Sequence, residues 1–342
     1  MRKTIALALA LILLCGLTGC AQTNSAVPAA AEPEPTIEPI PEGMEKVFGK
    51  DIMIAYDAPE DGLFARGVCE QALRVGIPVK FVSNTEEMEN CDALIHYQNT
   101  EVDTASISIP YVALISNGEN DEKAAGLIAY EKENEIAAAL ETMFAYPSHE
   151  APVRILGLFS GGTSEAAVGY DEMEKAGKLQ SKGIYVGSDG IAAESWLAET
   201  LPGIGVGVLD TIFAETPELA EQGFSALKKA ARNDAVEICA AGLTDMQLDA
   251  MLEDHFLMGS AVGLDEYNAG MLALRMCAGI LAGEDVETPI SIEPFAVCSD
   301  DVRALQKQEI TDPCEILERL NTQMAGKCDF DFLTELSEYY KS

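Results

Sequence analysis

Positive charge is scarce in this chain. Lys and Arg number 22 against 57 Asp and Glu, for a formal net charge of -35. Phosphate backbones are held by basic patches, so nucleic acid is excluded as a partner. The acidity reads as solvated surface that favours solubility. Histidine is scarcer still, with His96, His149 and His255 the whole set. None stands in a local pattern of nucleophilic catalysis, and Ser164 lacks the nucleophile-elbow spacing, so no enzyme activity is expected. Apart from Cys15 and Cys20, the cysteines are Cys69, Cys91, Cys239, Cys277, Cys298, Cys314 and Cys328. No C-x-x-C spacing and no His at metal-site spacing occurs among them, so neither metal nor cofactor is expected. Their number is odd and no disulfide pairing is predicted; Cys239 and Cys277 sit in apolar segments and read as small core residues. Beyond the first twenty residues no run is long and apolar enough for a transmembrane helix. Trp196, the sole tryptophan, stands among Ala and Leu at helical spacing, which favours core or helix surface over a cleft lining.

What is present begins at the N-terminus. Arg2 and Lys3 precede an apolar run from Ile5 to Leu14, and small residues lead to Leu17-Thr18-Gly19-Cys20. A basic start, an apolar centre and a small-residue cut site describe a secretory signal over residues 1–19. The placement of Cys20 resembles a bacterial lipobox, in which the thiol receives a diacylglycerol, with palmitate-type acyl chains, and becomes the new N-terminus. Two acyl chains hold a protein stably at a membrane. The expected address is the extracytoplasmic face of the cell membrane. Residues 20–47 are rich in Ala, Pro, Glu, Ser and Thr, too poor in large apolar side chains to fold, and read as a semi-extended linker.

From Asp51 onward, strand and helix signals alternate. Apolar runs at Ile52–Tyr56, Ile77–Val82, Ala93–Tyr97, Pro110–Ile115 and Leu127–Tyr130 predict five strands, with a helix over Gly62–Val75 and another ending at Phe144. The segment Pro147–Pro152 breaks this pattern, which then restarts with strands at Val153–Phe159, Gly183–Val186, Thr211–Ala214 and Val236–Ala241. Helices over Ser164–Ala176, Ala192–Thr200 and Pro217–Ala231 lie between them. Alternation of this kind predicts an α/β fold: two doubly wound parallel-sheet lobes in series.

Several stretches, in this order and spacing, resemble the type I periplasmic-binding-protein family, especially solute-binding lipoproteins of ABC importers in the sugar-binding, lac-repressor-like branch. They are Asp92-Ala93-Leu94-Ile95, Ile109-Pro110-Tyr111-Val112, Asp210–Ala214 with Glu218-Leu219-Ala220, Ile238–Gly242, and Ala261–Gly270 continuing through Gly279–Gly283. The resemblance covers about residues 48–302. It implies two lobes joined by a three-segment hinge, with crossings near Ser148–Pro152, Ala261–Asp265 and Thr288–Pro294. The N-terminal lobe would comprise 48–149 plus 262–290 and the C-terminal lobe 150–261 plus 291–302. Residues 303–342 form a helical extension, with amphipathic helices from Cys314 and over Phe332–Tyr340. The short connection between the third and fourth strands suggests a trimmed first lobe.

In such a fold, ligand sits outside the carboxyl ends of the strands. After the first strand, Asp57, Glu60 and Phe64 are candidates, the alternative being a solvated loop with Phe64 in the core. After the fourth comes Asn117, a plain turn or, by the resemblance, a cleft-facing contact. Phe159-Ser160-Gly161-Gly162-Thr163-Ser164-Glu165 follows a strand and opens a helix. Its N–H groups suit a carboxylate or phosphate, so Ser160, Thr163 and Ser164 are candidates, against a glycine turn whose Ser164 or Thr163 merely caps the helix. The loop matches neither a Walker nor a dinucleotide pattern. Glu215, Thr216, Thr244, Asp245 and Asp265 complete the set. The chain departs from its sugar-binding relatives at Thr216-Pro217, Thr244 and Leu264, so the usual polar set for a hexose or pentose is incomplete.

The resemblance implies a monomer that captures a small polar ligand for a membrane ABC permease. The alternatives are a ligand sensor feeding a membrane receptor or sensor kinase, and a degenerate member that no longer binds.

Overall fold

A computed structural model of the chain describes residues 47–97, 102–116, 121–145, 152–161, 164–187, 191–253 and 258–341. The signal, Cys20, most of the linker, Asn117, His149, Thr163 and His255 lie outside these residues.

The first sheet runs in the order β11-β5-β4-β3-β1-β2, where β1 is Ile54–Tyr56, β2 Val79–Phe81, β3 Ala93–Tyr97, β4 Tyr111–Ser116, β5 Gly126–Tyr130 and β11 Ile290–Ile292. Every pairing in it is parallel, with Ile54 opposite Ala93 and Ile95 opposite Val112. The apolar strands are covered on one face by two helices, α1 (Leu63–Val75) and α7 (Glu266–Ala282). Helix α1 repeats Leu63, Phe64, Val68, Ala72 and Val75 toward the core and stops at Gly76, whose φ of 68° is the left-handed conformation that ends helices. Helix α7 is buried on nearly every side, as an almost wholly apolar helix must be. The other face carries no long helix among the described residues. Met88, Cys91 and Val102, in or beside the short 3-10 turns at Thr85–Met88 and Thr104–Ser106, cover it instead.

The second sheet runs β12-β10-β9-β8-β6-β7. Its strands are β6 (Val153–Phe159), β7 (Leu179–Val186), β8 (Thr211–Ala214), β9 (Glu237–Ala241), β10 (Met258–Gly263) and β12 (Phe295–Cys298). Only β12 is antiparallel, paired with β10. Helices α3 (Glu165–Lys175), α4 (Ala193–Thr200), α5 (Pro217–Lys229), α6 (Asp245–Leu252) and α8 (Ser299–Gln306) surround it. Trp196 is half-buried against Tyr185, on the core side as its helical spacing suggested. Cys239 and Cys277 are buried in the cores.

One boundary differs from expectation. Helix α2 (Glu135–Ala145) follows β5 but packs on the second sheet, with Ala139, Leu140 and Met143 in one core with Ile155, Phe159, Phe213 and Val262. The first passage between lobes therefore lies at residues 131–134, ahead of the 148–152 segment. An apolar helix face needs a sheet to cover, and its own periodicity does not say which. The later passages lie at residues 264–265, between β10 and α7, and 293–294, between β11 and β12. The extension then continues as α9 (Pro313–Leu320) and α10 (Asp331–Lys341).

Candidate functional site

A cavity of about 270 Å³ opens where the two lobes face each other. Tyr97, Ser116 and Tyr130 are the last residues of β3, β4 and β5, and form its wall on the first sheet. Gly242, Leu243 and Thr244 follow β9, and Pro217 opens α5 after β8. Leu264 and Glu266 line it from the second passage, Lys132 and Glu135 from the first. All these positions follow strand carboxyl ends, where loops and helix N-termini leave polar groups unspent.

Two carboxyl groups dominate the chemistry. The Tyr97 hydroxyl donates to Glu266 Oε1 at 2.6 Å, and the Tyr130 hydroxyl donates to Glu135 Oε2. Burial raises the pKa of both glutamates above the usual carboxylate range. The tyrosine hydroxyls oppose this in each case, and at Glu135 so do Lys132 and the Gly242 backbone. Burial and the adjacent carboxylate push both phenols far up, so each stays a neutral donor. Lys132 is the sole cation among the described lining residues. Ionised or not, each glutamate keeps carboxyl oxygens that accept hydrogen bonds, so the cavity is suited to ligands that carry O–H or N–H donors. Its volume lies near the lower end of small-molecule pockets, which run from about 300 to 1,000 Å³. Among the described residues no group of three His, Cys, Asp or Glu side chains is placed to hold a metal ion.

The residues singled out from sequence scatter. Thr244 lines the cavity, but it is also spent on α6, where it forms a capping box with Gln247. Asp245 stands beside it and meets Arg66 of α1 at 3.4 Å, with its pKa raised by burial and partly restored by Arg66. Asp57 is turned inward: its carboxylate accepts from the Tyr97 N–H at 2.6 Å and meets His96 Nδ1 at 2.6 Å. Phe64 is buried in the first lobe against Tyr97, ring centroids 5.0 Å apart. Glu60 is exposed. Ser160 donates from N–H and Oγ to Glu215 Oε2 at 2.5 and 2.6 Å, at the ends of β6 and β8 and apart from the cavity lining. Ser164 and Thr216 cap α3 and α5. Asp265 is fully buried and caps α7. The residues that sequence reasoning passed over are Tyr97, Tyr130, Glu135 and Glu266. Their signal was positional: a polar aromatic closing an apolar strand, and an acid in the first turn of the next helix.

No family model matches the chain, and no curated protein matches it in sequence. Solved structures do match in fold. A sugar ABC transporter of Yersinia enterocolitica subsp. enterocolitica 8081 is 15% identical, with a TM-score of 0.57 over 89% of this chain and 99% of that one. The 5-methylthioribose transporter solute binding protein of Thermotoga lettingae TMO, solved with 5-methylthioribose, is 16% identical. It gives a TM-score of 0.54 over 85% of this chain and 98% of that one.

The chain has the type I periplasmic-binding-protein fold.

A further structure with this fold comes from the complex of the TorS sensor domain with TorT, at 13% identity and a TM-score of 0.56 over 78% of this chain and 99% of that one. In this periplasmic-binding-protein fold the cavity described above occupies the interlobe cleft. Among the described residues no helix is long and apolar enough to cross a membrane.

Proposed function

We propose that the chain is an extracytoplasmic solute-binding lipoprotein, tethered through Cys20, that captures a small polar molecule in the interlobe cleft and delivers it to an ABC permease. The observation that carries this reading is the convergence of strand carboxyl ends from both sheets on one cavity holding Glu135 and Glu266. A ligand that touches both lobes favours the state in which they are together, and that difference is the working energy. The ligand is bound and released without chemical change. Small molecules that carry O–H or N–H donors, such as sugars, polyols and small amines, match the acceptors present. The chain works as a monomer in this reading.

The test is a thermal-shift panel on the protein from Glu42 onward, covering sugars, polyols, nucleosides, amino acids and carboxylates. A ligand at 100 times its Kd adds about 2.7 kcal/mol to stability by mass action. At least one compound is expected to raise the melting temperature; a flat result across the panel contradicts the binding reading. The tether has its own test. Cys20→Ser is expected to move the protein from the membrane fraction to the soluble fraction, since the anchor is two acyl chains. Retention in the membrane fraction contradicts it.

A second reading, sensing, has one observation in its favour: the fold is shared with a structure solved in complex with a sensor domain. Transport and sensing both need cleft closure and differ in the membrane partner.

A further inference from the structure

The C-terminal extension does more than cover one lobe. After α8, which packs in the second lobe, the chain turns back and passes between the lobes a fourth time. Helix α9 lies at the junction. Its Cys314, Ile316 and Leu317 belong to one continuous apolar core with Leu63, Tyr267 and Met271 of the first lobe and with Leu248, Met251 and Val302 of the second. Helix α10 then places Phe332, Leu333 and Leu336 in the first-lobe core. Separating the lobes at α9 exposes apolar surface that is now shared between them.

The polar contacts converge on the hinge. Asp265 forms part of the second passage and is fully buried. It accepts from the Asn268 N–H at 3.0 Å, from Asn268 Nδ2 at 2.6 Å and from Asn321 Nδ2, in the extension, at 2.7 Å. Asn268 Nδ2 also donates to the Leu317 carbonyl at 3.2 Å. Asn321 is itself buried, so this is a closed polar network inside the protein. Nearby, Arg74 of α1 donates to both oxygens of Glu318 at 2.7 and 2.8 Å. Arg66 of α1 meets Asp245 of the second lobe at 3.4 Å and Asp312 of the extension at 3.2 Å. These ion pairs are only half-buried and contribute little singly, so the buried network and the shared core carry the restraint.

We propose that residues 307–324 are a brace on the hinge, gripping the second passage at Asp265 and holding the lobes near the spacing seen here. Hinge closure and opening require φ/ψ changes at a few passage residues. Asn321 and α9 oppose those changes at 264–265, so opening needs the brace to loosen. This goes beyond the binding reading, and its test needs no ligand.

The test is amide hydrogen exchange of the full chain in mild detergent, comparing the natural protein with Asn321→Leu. Removing the donor is expected to speed exchange about tenfold in peptides spanning the 264–265 and 293–294 passages, with the interior of β3 and β6 unchanged. Unchanged passages in a folded variant overturn the proposal. So does acceleration confined to α10 and the face of α1 beneath it, which would make the extension a cover for the first lobe only. If Asn321→Leu loses its cooperative melt, the milder Ile316→Val, in the apolar core that α9 shares with both lobes, is read in the same way. Faster exchange at the passages then supports the brace, and its absence overturns it.

Discussion

Replacing Gly270 by alanine is expected to lower the unfolding free energy by about 3 kcal/mol, toward the upper end of overpacking costs. Helices α1 and α7 meet backbone to backbone. A Cβ on Gly270 would sit 2.1 Å from the Phe64 carbonyl oxygen, and one on Gly67 would sit 2.0 Å from the Tyr267 carbonyl oxygen. Both obstacles are main chain, so no rotamer change relieves them. A weak C–H···O contact needs about 3.3–3.6 Å, so the helices must part by roughly an ångström. Helix α7 begins at Glu266, so that displacement also moves one acid of the cleft. The expected loss corresponds to a drop of roughly 6–12 °C in melting temperature. The double variant Gly67→Ala/Gly270→Ala is expected to cost less than the sum, because the first separation makes room for the second methyl. Denaturant melts of the three variants check this, and an unchanged midpoint for Gly270→Ala contradicts the packing described.

The second large effect has the opposite sign. Glu135→Gln/Glu266→Gln is expected to stabilise the protein at pH 7 by about 1–2 kcal/mol, in the range of other relieved functional sites. Burial holds both carboxyls above their ordinary values, so the folded chain binds these protons more tightly than the unfolded chain. Their contribution to stability is fully present below the unfolded value near ~4.3 and is lost as pH rises through the raised folded values. Glutamine keeps an acceptor for each tyrosine hydroxyl and carries no charge to desolvate. The stability advantage of the variant is therefore expected to vanish near pH 4 and grow toward pH 7. Asp245 and Asp265 are shifted in the same direction and repel Glu266, so removing its charge relieves that repulsion as well and the sign is unchanged. Melts from pH 4 to 8 check the sign. A variant that is less stable at pH 7, or a difference independent of pH, contradicts it.

Both acids sit in the cleft. Most of the fold that builds this cleft was legible in sequence. Ala93–Tyr97, Val153–Phe159 and Thr211–Ala214 are strands with the bounds their apolar runs suggest. Local apolar pattern decides such elements because buried parallel strands have few alternatives. Assignment of α2 to a lobe was not legible, since its apolar face fits either sheet. β11 and β12 were not legible, since only residues 293–294 separate them and no helix between them marks them as strands.

The site was legible as a place and not as a set of side chains. Strand carboxyl ends point to loops that line the cavity, but not to which side chains turn inward. Asp57 and Asp265 are polar loop residues consumed by structure: one orders the end of β3 through Tyr97, the other caps α7 at the hinge. Ser164 and Thr216 likewise serve helix starts. Glu266 immediately follows a residue that was singled out, and a shift of one position on a helix turns a side chain by about 100°. That rotation separates a cap buried in the hinge from an acid in the cleft.

The measurement that bears most directly on the cleft as a binding site is a calorimetric titration. The compound that stabilises the natural protein in the thermal-shift panel is titrated into the natural protein and into Glu135→Gln/Glu266→Gln. The account predicts affinity at least about tenfold weaker in the variant, or ~1.4 kcal/mol, while the variant remains as stable as the natural protein or more so. Equal affinity in a folded variant would place the ligand somewhere other than this cleft.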